Sequence, residues 1–261
     1  MATASVGLLG LGEAGGRIAA DLVALGVEVR GWDPDPARRV EGIPIASDPL
    51  DAIGEVVLSL NSSGAAVSAA ESVASGLGPG RLYADLNTAS VRVKQAVSDV
   101  VTPRGAAFAD VALLGTVPAT GVRTPALASG SGAEAFAARF APLGMPVEVV
   151  GPEPGAASER KLLRSVFMKG MAAALVESLR AAESAGCEDW LRADIAAALE
   201  SADGALIERL VDGSSVHSVR RVAEMEAAAE LLRELGVEPR MAEASAEWLR
   251  QLAAERAARV S

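Results

Sequence analysis

Through roughly the first 150 residues, short apolar runs alternate with longer amphipathic stretches. The apolar runs predict strands at Ser5–Leu9, Val27–Trp32, Val56–Leu60, Leu82–Asp85 and Ala107–Val111, with helices between them. Two later runs, Ala126–Ser129 and Val147–Val150, flank a helix-like Ala133–Phe140 and complete the set. Such alternation predicts a mostly parallel sheet with helices on both faces. The pattern then changes. Gly151-Pro152-Glu153-Pro154-Gly155 is a cluster of breakers and marks a boundary. Beyond it the sequence is rich in Ala, Leu, Glu and Arg with helical periodicity. One long helix is expected from Ser158 to about Ala185, closed by Gly186, then helices over Asp189–Leu199, His217–Leu235 and Ala242–Arg256. The expected organisation is an α/β domain over 1–152 and an all-α domain over 153–261.

Directly after the first strand, Gly10-Leu11-Gly12-Glu13-Ala14-Gly15 spells G-x-G-x-x-G. A helix, read as Arg17–Leu25, follows it, and a second strand ends at Asp33. Gly10 permits the tight turn, Gly12 lets backbone approach a pyrophosphate, and Gly15 lets helix and strand pack closely. The helix N-terminus offers unpaired N–H groups and a positive dipole end to phosphates. Glycines also serve ordinary turns, but here strand, loop, helix, second strand and terminal acid occur in order, the signature of a Rossmann dinucleotide site. Gly10, Gly12, Glu13, Ala14 and Gly15 are therefore cofactor-binding candidates. Asp33 stands where a carboxylate accepts hydrogen bonds from ribose hydroxyls, which favours NAD; Arg38 and Arg39 follow closely and keep NADP open as clamps for a 2′-phosphate, or are simply exposed charges.

Composition narrows the functional classes. The chain has 261 residues, half of them hydrophobic and only 3% aromatic, and a formal net charge of −10. This balance argues against a nucleic-acid binder, which needs a basic face. One cysteine, Cys187, and one histidine exclude a disulfide within the chain and a Cys- or His-rich metal site. The apolar start is short and interrupted by glycine, and it reads as a buried strand rather than a signal peptide or membrane span. A soluble cytoplasmic protein is the expectation.

The glycine loop, Asp85-Leu86-Asn87-Thr88 and the segment Gly155 to Lys161 (GAASERK) together resemble the β-hydroxyacid dehydrogenase superfamily, which includes 6-phosphogluconate and 3-hydroxyisobutyrate dehydrogenases. Ala157–Gly170 and Val216–Ala227 resemble its bacterial branch with a short C-terminal helical domain of undefined function. The resemblance implies a dehydrogenase in which a lysine near the start of the interdomain helix is the general acid/base, and Lys161 occupies that place. General acid/base chemistry suits a lysine partly desolvated in a cleft. Lys169, eight positions on, is a second candidate. The resemblance also puts a Ser or Thr close to the nicotinamide ribose or the substrate, in the region of Asn87 and Thr88, and the substrate is expected at the interdomain cleft. Two departures stand out. Arg164 and Ser165 replace a pair of asparagines, and Leu114-Gly115-Thr116 replaces a Ser-Gly-Gly carboxylate-binding segment. Gly115, Thr116, Arg164 and Ser165 are the corresponding substrate-binding candidates.

Further candidates carry two readings each. Asn61, Ser62 and Ser63 follow a strand and either line the cofactor groove or form a turn. Asn87 and Thr88 contact ligand or cap a helix. His217, Arg220 and Arg221 share a helix face that suits an anionic, even phosphorylated, substrate; alternatively Glu224 and Glu226 pair with the arginines on a solvated surface. The expected protein is an NAD(P)-dependent dehydrogenase of a small hydroxyacid-like substrate, homodimeric through its helical domain. An imine reductase and a non-catalytic dinucleotide-binding regulator are the alternatives.

Overall fold

The computed structural model describes residues 5–260. The chain divides into two compact units, Met1–Arg164 and Ser165–Ser261.

The first unit is a seven-stranded sheet. Its strands are β1 (Val6–Leu9), β2 (Val29–Trp32), β3 (Val56–Ser59), β4 (Leu82–Asp85), β5 (Ala107–Leu113), β6 (Ala126–Ser129) and β7 (Val147–Gly151). They lie in the order β2-β1-β3-β4-β5-β6-β7. All neighbours are parallel except β5 and β6. The strand order reverses at β1, and the crevice beyond the carboxyl ends of β1 and β3 is where ligands bind in open α/β sheets.

The central strands are buried on both faces, which is why they read as continuous apolar runs rather than alternating ones. One face, with Leu8, Leu58, Ala84 and Val111, packs on helices α1 (Glu13–Ala24) and α5 (Ala133–Phe140) through Ile18, Leu22, Phe136 and Phe140. The other, with Val57, Tyr83 and Phe108, packs on α2 (Ala66–Val73) and α3 (Val91–Val101). A short helix, α4 (Val117–Thr120), lies between β5 and β6.

Helix α1 starts at Glu13, four residues before the expected Arg17, because Gly12 serves as its N-cap and Gly15 and Gly16 are helical. Their low helix propensity hides the first turn in the sequence. Strand β5 runs to Leu113, two residues past its expected end.

The 29-residue α6 (Ala156–Ser184) begins in the first unit and continues into the second. The second unit then holds α7 (Glu188–Glu200), α8 (Gly204–Val216), α9 (Ser218–Glu234) and α10 (Arg240–Val260). Helix α8 was not expected from the sequence, where Gly204, Gly213, Ser214 and Ser215 dilute the periodicity; Asp203 caps it by accepting from the Leu206 amide at 3.1 Å. Glu177 of α6 ties down the start of α10, accepting from the amides of Met241 at 2.7 Å and Ala242 at 2.9 Å. Ala229, Ala242, Ala246 and Leu249 form the buried seam between α9 and α10, whereas α7 and α8 bury no residue. No described helix is long and apolar enough to cross a membrane.

Candidate functional site

The glycine loop leaves β1 with Gly10 at φ +98°, a conformation that favours glycine, and a side chain there would collide with the Leu60 carbonyl. A Cβ at Gly15 would collide with the Gly10 carbonyl, so this residue brings α1 against the strand. Gly12 differs: a Cβ built on it meets nothing within 4 Å. Its requirement is therefore not internal packing but open space above the backbone. No side chain caps α1. An uncapped helix start beneath open space fits a pyrophosphate group. Glu13 and Ala14 form the first turn, with Glu13 exposed.

Asp33 follows β2 and links the loop to it. Its Oδ2 accepts from the Leu11 amide at 2.6 Å and its Oδ1 from the Asp35 amide at 2.9 Å. Each carboxylate oxygen retains a lone pair for a ribose hydroxyl. Arg38 is exposed and faces Asp35 at 3.6 Å, while Arg39 donates to the carbonyls of Pro36 and Arg38. Both arginines thus lie with their own loop.

Asn61 and Asn87 come together at the ends of β3 and β4. Asn87 Oδ1 accepts from the Asn61 amide, and both carboxamides donate to Ser59 Oγ, at 3.0 Å and 3.1 Å. Asn87 is buried, and its amide and Nδ2 both donate to Asp85 Oδ1, at 2.9 Å and 2.6 Å. It is therefore locked from behind and does not cap α3; Ser90 does, accepting from the Val93 amide. Ser62 is the exposed N-cap of a short 3-10 turn, and the Ser63 side chain lies outside the described residues.

Next to this pair, Lys161 Nζ donates to Thr88 Oγ1 at 2.8 Å. Lys161 sits in the second turn of α6, and Thr88 is an exposed residue of the loop after β4. The first unit therefore brings the glycine loop, Asn61, Asn87, Thr88 and Lys161 to the carboxyl ends of β1, β3 and β4. Gly115 and Thr116 are exposed and precede α4, whose N-cap is Thr116. Helix α1 is pinned to this segment. Arg17 donates to the Pro118 carbonyl at 2.8 Å and pairs with Asp21 at 3.0 Å, which accepts from the Val122 amide at 2.9 Å.

Arg164 is the last residue of the first unit, and Ser165 and Lys169 follow on α6 in the second. In the second unit, exposed His217 separates α8 from α9. Arg220 pairs with Glu224, Arg221 donates to Ser214 Oγ at 2.9 Å, and Glu226 pairs with Arg250 at 2.6 Å. The ion-paired surface is the arrangement found for Arg220.

Sequence reasoning passed over a set of buried polar groups behind the site. Ser59, Asp85, Asp110 and Ser129 are in register across β3, β4, β5 and β6, and all four are fully buried. Lys94 of α3, equally buried, reaches into this row. Its Nζ lies 3.3 Å from Asp85 Oδ2 and 3.1 Å from Asp110 Oδ1, and donates to the Asp85 carbonyl at 2.8 Å. Burial pushes the Asp85 carboxyl above its ordinary range, with the Lys94 ammonium opposing that shift. Asp110 also accepts from Ser158, from Oγ at 2.7 Å and from the amide at 2.9 Å, and Ser129 Oγ accepts from the Ala157 amide at 3.0 Å. The carboxylate and hydroxyl of two strands thus cap the start of α6. No group of His, Cys, Asp and Glu suited to a metal occurs among the described residues.

Comparison with known proteins places this geometry. Residues 5–144 match the family described as the NAD binding domain of 6-phosphogluconate dehydrogenase, and residues 182–252 match a domain of unknown function, DUF1932. An uncharacterized 28.5 kDa protein from the 7S RNA 5′ region of Methanothermus fervidus is 30% identical over 148 residues, 55% of this chain and 55% of that protein. The chain therefore spans about half the length of that curated relative. Among solved structures, the conserved protein MTH1747, of unknown function and reported as structurally similar to 3-hydroxyacid dehydrogenases, is 30% identical with a TM-score of 0.60, over 97% of this chain and 98% of that one. The imine reductase of Streptomyces aurantiacus is 20% identical with a TM-score of 0.81, over 95% and 93%. The reductive aminase of Aspergillus terreus, solved with NADPH and ethyl levulinate, is 19% identical with a TM-score of 0.80, over 97% and 94%. At these identities the two reductases share the fold. The open glycine loop and the match over residues 5–144 agree, and the chain belongs to the family that carries the NAD binding domain of 6-phosphogluconate dehydrogenase, here followed by a helical domain of unknown function.

Proposed function

We propose that this protein is an NAD(P)-dependent dehydrogenase of a small, anionic, hydroxyacid-like substrate, with Lys161 as general acid/base. The observation that carries the reading is the Lys161–Thr88 hydrogen bond of 2.8 Å, beside Asn87 and the ligand edge of the sheet. When bound, the nicotinamide supplies or accepts the hydride. The first turn of α1 holds the pyrophosphate, Asp33 holds the adenosine ribose, and Asn61 and Asn87 border the groove. Lys161 Nζ takes the hydroxyl proton as the alcohol is oxidised, or returns it in reduction. Gly115, Thr116, Arg164, Ser165 and His217 are the proposed substrate-binding residues. NAD is the preferred cofactor in this reading, because Asp33 repels a 2′-phosphate and Arg38 is engaged with Asp35.

Imine reduction is a second reading, favoured by the shared fold with the Streptomyces and Aspergillus enzymes. Purified protein is to be screened against hydroxyacids, phosphorylated hydroxyacids and cyclic imines, each with NAD and NADP in the direction the substrate requires. The expected result is turnover of a hydroxyacid class that falls at least about 10²-fold in Lys161→Ala and persists in Lys169→Ala. Turnover of imines alone selects the second reading. Turnover undiminished in Lys161→Ala removes the proposed base, and binding of NADH without any turnover favours a regulatory protein.

The reading includes a homodimer formed through the helical unit. Helices α7 and α8 bury none of their residues, and Trp190 and Ile207 are 66% and 63% exposed. Apolar helix faces of this kind call for a covering partner, and a second copy supplies one.

A further inference from the structure

We propose that Lys94 is a positioning residue, whose buried ammonium holds Lys161 against Thr88 by closing a ring of contacts through the sheet. On one arm, Lys94 Nζ binds the Asp85 carbonyl, and the Asp85 carboxylate holds both the amide and the side chain of Asn87, the residue before Thr88. On the other arm, Lys94 Nζ faces Asp110, whose carboxylate grips the amide and hydroxyl of Ser158 in the first turn of α6. Lys161 follows Ser158 by three residues, so the two lie on one helix face. The Lys161–Thr88 hydrogen bond closes the ring.

The ring explains a placement that is otherwise costly. A lysine with no solvent exposure is retained only where its charge is compensated. Here one ammonium serves two carboxylates, each at the level of a strand end and each organising a different jaw of the site. Removing the ammonium leaves Asp85 and Asp110 facing each other without compensation, and both jaws lose their anchor. Asp85 Oδ2 has no hydrogen bond, and the Lys94 ammonium at 3.3 Å is the positive charge that faces it.

The geometry stands on the structure of the first unit, while its relevance to proton transfer rests on the reading of Lys161 above. The test separates the two. The chain contains three lysines, Lys94, Lys161 and Lys169, so protein labelled with 13C,15N-lysine gives three side-chain signals, assigned with Lys161→Arg and Lys169→Arg. The labelled wild type, Lys94→Met and Ser158→Ala are titrated by NMR, and backbone amide exchange is followed at Ala157. The expected result is a displaced Lys161 titration midpoint in both variants with Lys169 unmoved, and exchange at Ala157 faster by at least ~10-fold. Ser158→Ala deletes one hydroxyl and leaves the Lys94 cluster in place, so it decides the matter if Lys94→Met does not fold. A folded Ser158→Ala protein with wild-type Lys161 titration and wild-type Ala157 exchange overturns the proposal. So does a Lys94→Met protein that is less stable but keeps both readouts. Turnover surviving in Lys161→Ala would remove the catalytic reading and leave these measurements unaffected.

Discussion

Asp33 Oδ2 accepts a 2.6 Å hydrogen bond from the amide of Leu11, so the acid after β2, the proposed ribose ligand, also shapes the glycine loop. Asp33→Ala is therefore expected to weaken NADH binding by about tenfold or more, the scale of losing a charge-assisted hydrogen bond. NADPH binding should fall less, so the preference narrows. Asp33→Asn keeps an acceptor for Leu11 and separates loop shape from charge. Fluorescence titration with both cofactors measures this, and an NADH to NADPH ratio unchanged in both variants would defeat the assignment of Asp33 to the ribose.

Gly12 and Gly15 are required for different reasons, and alanine tells them apart. Gly12 faces open space and has φ −63°, so Gly12→Ala should melt within about a degree or two of wild type yet bind NADH at least ~10-fold more weakly. Gly15→Ala drives a methyl into the Gly10 carbonyl and should lower stability by about 1–3 kcal/mol or more before any ligand is added. Equal effects of the two on melting would count against this division.

Asp85 carries a pH signature. Its folded-state pKa is raised by burial, so the folded protein binds this proton more tightly than the unfolded chain does. The associated stability is complete below the ordinary carboxylate pKa and is lost as pH rises through the folded value. Asp85→Asn removes that slope. The melting temperature of Asp85→Asn relative to wild type should therefore rise as pH increases above the ordinary carboxylate pKa of about 4. A constant or falling difference would contradict the raised pKa.

Trp190 of α7 and Ile207 of α8 are exposed apolar side chains on helices without buried residues. Sedimentation velocity at micromolar protein should show a dimer. Trp190→Glu or Ile207→Glu should shift it toward monomer with the first unit still binding NADH. A monomeric wild type ends the dimer proposal.

The sequence disclosed those features whose chemistry is written at fixed local offsets. Gly10, Gly12, Gly15 and Asp33 are such a set, and the strand–helix alternation located every strand of the sheet to within two residues. Lys161 was reached through resemblance rather than pattern. Lys94 was not reached at all, because within Val91–Val101 it reads as the polar side of an amphipathic helix. Its partners come from separate strands, each contributing one polar residue at or near the end of an apolar run, and one such residue looks like an ordinary turn former. Writing the strands in register would have exposed the coincidence, since Ser59, Asp85, Asp110 and Ser129 then fall in one line. Helix α8 escaped for a simpler reason, its glycines and serines.

That polar line also bears on how the chain finds its sheet. Side chains alternate faces along a strand, so a one-residue slip of β5 would turn Asp110 away from Lys94 and bury its charge among Leu58, Ala84 and the aromatic rings of α5. Parallel pairings between short apolar strands offer little else to tell correct alignment from its neighbours. The two aspartates and their shared lysine supply that discrimination, because only the native register places both carboxylates against the ammonium.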